Sequence, residues 1–315
     1  MTFFIMEVSR NPINNVPDAN IINNFVSTRK GPDVDFLESV VTGKDKDGGL
    51  LMPEKFPQFP EEFWNDLPNM SMSDISAYVA RHYIPREDIE DQVLSEMMEE
   101  AHDFDLPLEK INDTTFVLHL DQGPTASFKD VAARELAQLM DAYCEKTGKR
   151  IHLIVATSGD TGVAIMNAFG RCKNITVSVM YPNDGVSEVQ EKQTLSTAIE
   201  YKNTQSIPMR GNFDNCQDTS ILLQAIKNLK NAEKRDKAIQ EIIEQTKIKL
   251  EQVLDTKDVE EIEKILEPLD LGSANSQNIW RLIPQMTQYL VGISKALKEE
   301  KIEKGKNVVY AVPSG

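Results

Sequence analysis

From residue 115 onward, the sequence alternates between short β-rich runs and longer runs with helical spacing. The predicted strands cover 115–120, 151–156, 176–181 and 206–209, and the predicted helices cover 130–143, 163–169, 188–198 and 215–229. Alternation of this kind produces βαβ units, in which parallel strands lie side by side and helices cover the sheet. We therefore predict an α/β fold with a largely parallel sheet.

The segment before this alternation has mainly helical patterns. Apolar residues at helical spacing predict helices over 36–41 and 86–102, and Ser73 with Asp74 is predicted to cap a third helix between them. Residues 1–24 are rich in Asn and Pro and show no period, so we expect a loose lead-in there. The N-terminal part is therefore predicted to be mostly helical.

Two domains are expected, an N-terminal domain over 1–105 and an α/β region over 106–315. Residues 230–267 are strongly charged and carry an apolar stripe, which predicts a helical insertion with one packed face. A helix over 279–298 and a final strand over 307–312 complete the predicted pattern.

Acidic side chains dominate the charge balance of the chain. Lys and Arg total 34 against 50 Asp and Glu, which gives a formal net charge of −16 over 315 residues. This sign disfavours nucleic acid and anionic membranes as partners, and no apolar run approaches the ~20 residues of a membrane span. The three cysteines are scattered and have no metal-type spacing, so we expect reduced thiols, no metal site and a cytoplasmic location.

The stretch Gly123–Asp130 connects a predicted strand to a predicted helix and contains Lys129. Its sequence, Gly-Pro-Thr-Ala-Ser-Phe-Lys-Asp, surrounds one lysine with small residues and an aromatic ring. A lysine amine in a suitable pocket forms a Schiff base with an aldehyde, and pyridoxal phosphate is such an aldehyde. The alternative is an ordinary solvated lysine near a helix N-terminus, and the stretch alone does not decide between the two.

Two further segments have the features of anion sites. Residues 157–162, Thr-Ser-Gly-Asp-Thr-Gly, connect a strand to a helix, where backbone N–H groups and the helix dipole attract an anion. Residues 275–281, Asn-Ser-Gln-Asn-Ile-Trp-Arg, place a hydroxyl and a guanidinium near another helix start. The alternatives are a tight turn with Thr161 as helix cap, and an Asn/Ser cap with Arg281 in a surface ion pair.

These motifs, together with the residues at 25–29 and 47–50, resemble in their order the threonine synthase family. That family belongs to the fold-type II pyridoxal-phosphate enzymes, the tryptophan synthase β-like superfamily. His119 fits its signature, whereas Gln122 stands where the family usually has His. The resemblance implies fold-type II architecture with parallel sheets, the N-terminal domain of the long-form enzymes, and pyridoxal 5′-phosphate as cofactor.

The resemblance also implies roles for individual residues. Lys129 is implied to be catalytic and to bind the cofactor covalently. The other implied cofactor contacts are Phe128, Asp160, Ser314 and Gly315. The implied substrate contacts are Thr157, Ser158, Gly159 and Thr161 for the α-carboxylate, and Ser276, Asn278 and Arg281 for the phosphate.

The implied activity is the conversion of O-phospho-L-homoserine and water to L-threonine and phosphate, the last step of threonine biosynthesis. It proceeds by γ-elimination and β-addition with pyridoxal phosphate. This small-molecule substrate is the expected partner, and the chain is expected to be a monomer or a homodimer. Two alternatives stay open. One is another fold-type II lyase, such as a threonine dehydratase. The other is a catalytically incomplete fragment, because the family's cofactor-phosphate motif begins at Pro313 and stops at Gly315.

Overall fold

The computed structural model describes residues 12–43, 48–157, 159–228, 270–272, 274 and 277–312. Its α-helices are α1 (Phe36–Val41), α2 (Glu61–Asp66), α3 (Met72–Arg81), α4 (Asp91–Ala101), α5 (Lys129–Thr147), α6 (Asp160–Phe169), α7 (Glu188–Glu200), α8 (Phe213–Asn228) and α9 (Gln285–Lys298). Its strands are β1 (Phe25–Ser27), β2 (Leu51–Pro53), β3 (Leu108–Lys110), β4 (Phe116–Leu118), β5 (Ile151–Ala156), β6 (Ile175–Pro182), β7 (Thr204–Met209) and β8 (Asp270–Gly272). The predicted insertion at 230–267 lies outside the described residues.

Four strands form a parallel sheet in the order β7-β6-β5-β8. Ile151 pairs with Ile175 and Ala156 with Met180, so β5 and β6 run side by side in register. β5 is buried at every position except His152, as expected of a strand whose sheet is covered by helices. The predicted α/β fold with a parallel sheet is confirmed, whereas β3 and β4 form a separate antiparallel hairpin.

The carboxyl-terminal edge of this sheet brings two loops together. One loop leads from β5 into α6, and the other leads from β6 into α7. Because the two strands are parallel neighbours, both loops leave the sheet at the same edge. Ligands of open α/β sheets bind at this edge, so the fold predicts a ligand site there.

The N-terminal region is mostly helical, as predicted, but α3 begins earlier than expected. The predicted cap at Ser73 is wrong, because Ser71 is the N-cap. The Ser71 hydroxyl accepts a hydrogen bond from the Asp74 N–H, and the Asp74 carboxylate accepts one from the Ser71 N–H. This reciprocal pair is a capping box. Buried apolar side chains from this region and from the sheet form one continuous core, and the domain boundary at residue 105 stays a prediction.

A buried polar cluster connects this region to α5. The Ser76 hydroxyl donates to Glu135 Oε2 at 2.7 Å, and His102 Nε2 lies 3.2 Å from the same oxygen. The three residues are between 0% and 7% exposed. Because a buried carboxylate without partners is costly, the cluster fixes α3, the end of α4 and α5 relative to one another.

The helix predicted over 279–298 is divided in the structure. Ile279–Arg281 is a 3-10 turn, and α9 begins directly after Pro284. Proline has no N–H to donate and its ring clashes with the preceding turn, so helices start near it and do not continue through it. The strand predicted over 307–312 is wrong. These residues have no strand assignment and Val309 is 92% exposed, because β-rich sequence forms a strand only beside a pairing partner.

Within the described ranges, none of the helices combines the length and apolar character that crossing a bilayer would demand.

Trp280 connects the C-terminal part of the chain to the N-terminal region. It is fully buried, and its indole N–H donates to the Ser39 hydroxyl at 2.9 Å. Its ring packs against Phe25, Phe36 and Tyr83. One side chain therefore connects segments that lie about 240 positions apart.

Trp280→Ala is expected to lower the free energy of unfolding by about 3–5 kcal/mol, because it removes a fully buried aromatic ring. Urea denaturation followed by circular dichroism measures this loss. Trp64, which is only partly buried, provides the matched control, since Trp64→Ala removes the same side chain from a less enclosed place. Equal losses for the two variants would contradict the central position of Trp280.

Candidate functional site

Lys129 is the first residue of α5, and its side chain is 21% exposed. Its Nζ lies 3.7 Å from Oδ2 of Asp160, the first residue of α6, and 4.4 Å from the centre of the Phe128 ring. Both a carboxylate and an aromatic face attract an ammonium group. The amine is therefore mostly covered and is directed at the carboxyl-terminal edge of the sheet, unlike an ordinary solvated lysine.

The turn before Lys129 is shaped by Asp130. The buried Asp130 carboxylate accepts hydrogen bonds from the Thr125 N–H at 2.9 Å and from the Thr125 hydroxyl at 2.6 Å. Gly123 lies so close that a Cβ atom there would be 2.5 Å from this carboxylate. Ala126 has a φ of 55°, which costs a residue with a side chain about 1–2 kcal/mol. The carboxylate therefore stabilises a strained turn that sets the position of Lys129.

Burial raises the pKa of the Asp130 carboxyl above its ordinary value. The hydrogen bonds from Thr125 and from the turn act in the opposite direction, because they favour the ionised form. Desolvation is the larger of the two effects. Asp130 is therefore a carboxyl group that the fold keeps away from water beside the lysine.

The loop between β5 and α6 forms the facing wall of the site. The Thr157 hydroxyl accepts hydrogen bonds from the N–H groups of Gly159 and Gly162 at 3.0 and 3.1 Å. Thr157 is 3% exposed, so its hydroxyl organises the loop itself. Thr161 follows in the first turn of α6 and is partly exposed, while Ser158 lies outside the described residues. Substrate binding by this loop stays a prediction.

Asp160 has a different partner at each carboxylate oxygen. Its Oδ1 accepts a hydrogen bond from Gln190 Nε2 at 2.6 Å, and its Oδ2 faces the Lys129 ammonium group. The residue begins α6, where the helix dipole stabilises a negative charge. The side chain is 48% exposed, so the charge remains open to a ligand.

Asn278 has a structural position in the second predicted anion site. It is fully buried, its Nδ2 donates to the Val40 carbonyl at 2.7 Å, and its Oδ1 accepts from the Trp280 N–H at 2.9 Å. It therefore caps the 3-10 turn that contains Arg281, and this turn packs against α5.

Arg281 is buried, so the alternative of a surface ion pair is wrong. It is 4% exposed, and its Nη1 donates to the Ala274 carbonyl at 2.8 Å. Its Nε is buried and has no hydrogen-bond partner among the described residues. Burial lowers the pKa of the guanidinium to about 10. A buried cation with an unused donor is suited to an anionic ligand.

The structure thus brings together three of the predicted cofactor contacts, Lys129, Phe128 and Asp160. The loop residues Thr157, Gly159 and Thr161 lie on the same edge of the sheet. Of the other predicted contacts, Asn278 and Arg281 lie at the 3-10 turn described above. Four lie outside the described residues, and they are Ser158, Ser276, Ser314 and Gly315.

Comparisons with known proteins lead to a single family. The family model described as the threonine synthase N terminus matches residues 24–102. A threonine synthase of Pseudomonas aeruginosa is 36% identical over 200 residues, which is 62% of this chain and 42% of that protein. The chain is similar to threonine synthases over nearly all of its length.

Solved structures of threonine synthases share this fold. The yeast threonine synthase is 26% identical and superimposes with a TM-score of 0.68, over 89% of this chain and 52% of that chain. The PLP-bound threonine synthase of Brucella melitensis is 30% identical with a TM-score of 0.64, over 86% and 51%. The predicted fold-type II architecture is therefore confirmed. The chain spans about half the length of the curated threonine synthases it matches.

Two residues at the site are not identified as functional by the sequence. Gln190 stands three residues after Ser187, and this Ser-x-x-Gln spacing is the signature of a capping box at the start of α7. The signature predicts a helix start but not the contact with Asp160. Asp130 is adjacent to the lysine in sequence. Its burial and its hydrogen bonds to the turn depend on packing, which the sequence pattern does not show.

Asp130→Asn is expected to change how stability depends on pH. A carboxyl group whose pKa is raised in the folded state adds to the free energy of unfolding at low pH. This stabilisation is complete below the pKa of the unfolded chain, about 3.9, and is lost as the pH rises through the pKa of the folded chain. The variant lacks this loss, so its unfolding free energy relative to the natural chain should increase as the pH rises above about 4. Urea denaturation at several pH values measures the difference.

The matched control for this experiment is Asp184→Asn, which removes one carboxylate from an exposed position. It corrects for the change in net charge. The same pH trend in both variants would show that the burial of Asp130 has no influence on stability.

Proposed function

We propose that these residues form the active site of a pyridoxal-phosphate-dependent threonine synthase, a lyase that acts on O-phospho-L-homoserine. Its products are L-threonine and phosphate. The observation that carries the proposal is the contact of Lys129 with Asp160 at the carboxyl-terminal edge of a parallel sheet, in a chain similar to threonine synthases.

The residues around Lys129 fit pyridoxal phosphate. The amine is mostly covered yet reachable, the Phe128 ring is 40% exposed, and the Asp160 carboxylate is about half exposed. These supply a nucleophile, an apolar face and a charge within a few ångströms of one another. The cofactor supplies an electron sink that stabilises negative charge on the substrate carbons. The related protein from Brucella melitensis was solved with PLP bound.

Lys129 has two tasks in this proposal. Its Nζ would hold the cofactor covalently, and the amine, when released, would take a proton from the substrate Cα and return it. Asp160 keeps the amine directed at the reacting atoms, so the proton transfer starts from a defined geometry. Phe128 covers the amine on one side and limits the access of water.

A substrate with a carboxylate at one end and a phosphate at the other needs two anion sites. We assign the carboxylate to the N-terminus of α6, where the backbone of Gly159 and Thr161 lies beside the helix dipole. We assign the phosphate to Arg281 together with Ser276, because the Nε of the buried guanidinium has no hydrogen-bond partner among the described residues. Asn278 acts indirectly by capping the turn of Arg281. A dehydratase has no substrate phosphate, so this buried cation favours the synthase.

We place this enzyme in the cytoplasm. Cys144, Cys172 and Cys216 lie in the described part of the chain, and none of them forms a disulfide. Cysteines outside disulfides are usual under the reducing conditions of that compartment.

Incubation of the chain with pyridoxal phosphate, followed by borohydride reduction, is expected to label Lys129. Lys129→Ala should lose the label, the visible absorption of the lysine-bound cofactor and the release of phosphate from O-phosphohomoserine, because the attacking amine is gone. Peptide mass spectrometry locates the label. Lys192→Ala, at an exposed lysine whose side chain is 71% accessible, is the control and should keep all three. A label spread over surface lysines with none on Lys129 would refute the assignment.

Arg281→Met is expected to remove a stabilisation by inorganic phosphate while leaving the labelling of Lys129 intact. The titration uses the chain already labelled with pyridoxal phosphate. The cofactor site is then occupied in every sample, so added phosphate does not bind there. Phosphate at one hundred times its dissociation constant should stabilise the natural chain by about 2.7 kcal/mol. Thermal unfolding measures the shift.

The control for Arg281 is Arg210→Met, at an exposed arginine, which should keep the response to phosphate. If both variants respond to phosphate like the natural chain, Arg281 does not bind the substrate phosphate.

A further inference from the structure

The side-chain amide of Gln190 has a separate partner at each end. Its Oε1 accepts hydrogen bonds from the Ser187 N–H at 3.1 Å and from the Ser187 hydroxyl at 3.0 Å. Its Nε2 donates to Asp160 Oδ1 at 2.6 Å. One amide therefore bridges the start of α7 and the start of α6.

The orientation of this amide follows from the chemistry of its partners. The Ser187 N–H can only donate, so it requires the oxygen of the amide, and the Asp160 carboxylate can only accept when ionised, so it requires the nitrogen. In a flipped amide, the nitrogen would face the Ser187 N–H and the oxygen would face the Asp160 carboxylate, and both contacts would be repulsive. The amide N–H group must therefore face Asp160.

The backbone of the neighbouring loop is adapted to this contact. Gly159 has a φ of 155°, and a Cβ atom on it would lie 2.5 Å from Gln190 Nε2. Any other residue would collide with the amide or force it away. The loop that starts α6 therefore packs against the Gln190 amide at a position that has no room for a side chain.

We propose that Gln190 is a positioning residue, whose side-chain amide holds the Asp160 carboxylate opposite the Lys129 ammonium group. The chain of contacts runs from Ser187 through Gln190 and Asp160 to Lys129. Asp160 is about half exposed, and the donor on its Oδ1 leaves Oδ2 to face the amine. The relevance of this contact to catalysis rests on the proposed function.

Helix capping alone does not explain this choice of residue. A glutamate at the same position of a capping box makes the same reciprocal hydrogen bonds, and its charge interacts favourably with a helix N-terminus. Only the outward end of the side chain differs, where glutamine presents N–H groups to Asp160 and a glutamate would present an oxygen. The substitution Gln190→Glu therefore separates capping from positioning.

Gln190→Glu should unfold at the same temperature as the natural chain or higher. It should nevertheless lose at least tenfold in the yield of Lys129 labelled by pyridoxal phosphate and borohydride, because two facing carboxylates repel each other and displace Asp160. In the chain without cofactor, the amide hydrogens of Gly159 and Gly162 should exchange at least tenfold faster. Mass spectrometry measures both labelling and exchange.

The matched control is Ser187→Ala, which removes the hydroxyl of the cap but keeps the backbone N–H that orients Gln190. It should lower the stability of α7 and leave the labelling and the loop exchange unchanged. The double variant Asp160→Asn with Gln190→Glu exchanges donor and acceptor, so it should restore slow exchange in the loop but not the labelling of Lys129, whose ion pair is gone.

The proposal would be overturned if Gln190→Glu kept the Lys129 labelling and the loop exchange rates of the natural chain. It would also be overturned if Gln190→Glu and Ser187→Ala changed labelling and exchange equally. If pyridoxal phosphate fails to label Lys129 in the natural chain, the proposed function fails. The exchange measurement in the cofactor-free chain still decides whether Gln190 positions the loop.

Discussion

The parallel pairing of β5 with β6 is the constraint on which the site depends. Parallel strands cannot be joined by a tight turn, so each must be followed by a crossover that starts at the same edge of the sheet. The crossovers begin with Asp160, the first residue of α6, and with the capped first turn of α7, Ser187–Gln190. Two segments thirty residues apart in sequence are thereby placed within hydrogen-bond distance, at 2.6 Å.

Lys129 reaches this edge from a different direction, through buried polar contacts. α5 is fixed to the N-terminal helices by the Glu135 carboxylate with Ser76 and His102. Its first turn is fixed by the Asp130 carboxylate. Removing a charged group from water is costly unless it is hydrogen-bonded, so each buried carboxylate forces its surroundings into one arrangement. The contacts of Glu135 and of Asp130, both in α5, therefore set the position of the Lys129 amine.

Elements with strong local signals were predictable. β5 was predicted at its observed bounds because Ile151–Ala156 is apolar at every position except His152, and α1 because its apolar spacing stops where the helix stops. The errors have local causes too: a proline at 284 that divides a helical pattern, and a serine at 71 that caps better than the one at 73. The strand predicted over 307–312 failed because strand formation depends on a neighbour, which no local pattern specifies.

The sequence by itself determined the fold class and the similarity to threonine synthases, and it pointed to Lys129 as the candidate reactive lysine, because these depend on hydrophobic periodicity and on a motif of adjacent residues. Tertiary structure alone decided which groups surround that lysine. The burial of Arg281, the raised pKa of Asp130 and the contact of Gln190 with Asp160 all arise from segments that are distant along the chain. Desolvation and hydrogen-bond geometry act through space, and a linear pattern does not contain the distances on which they depend.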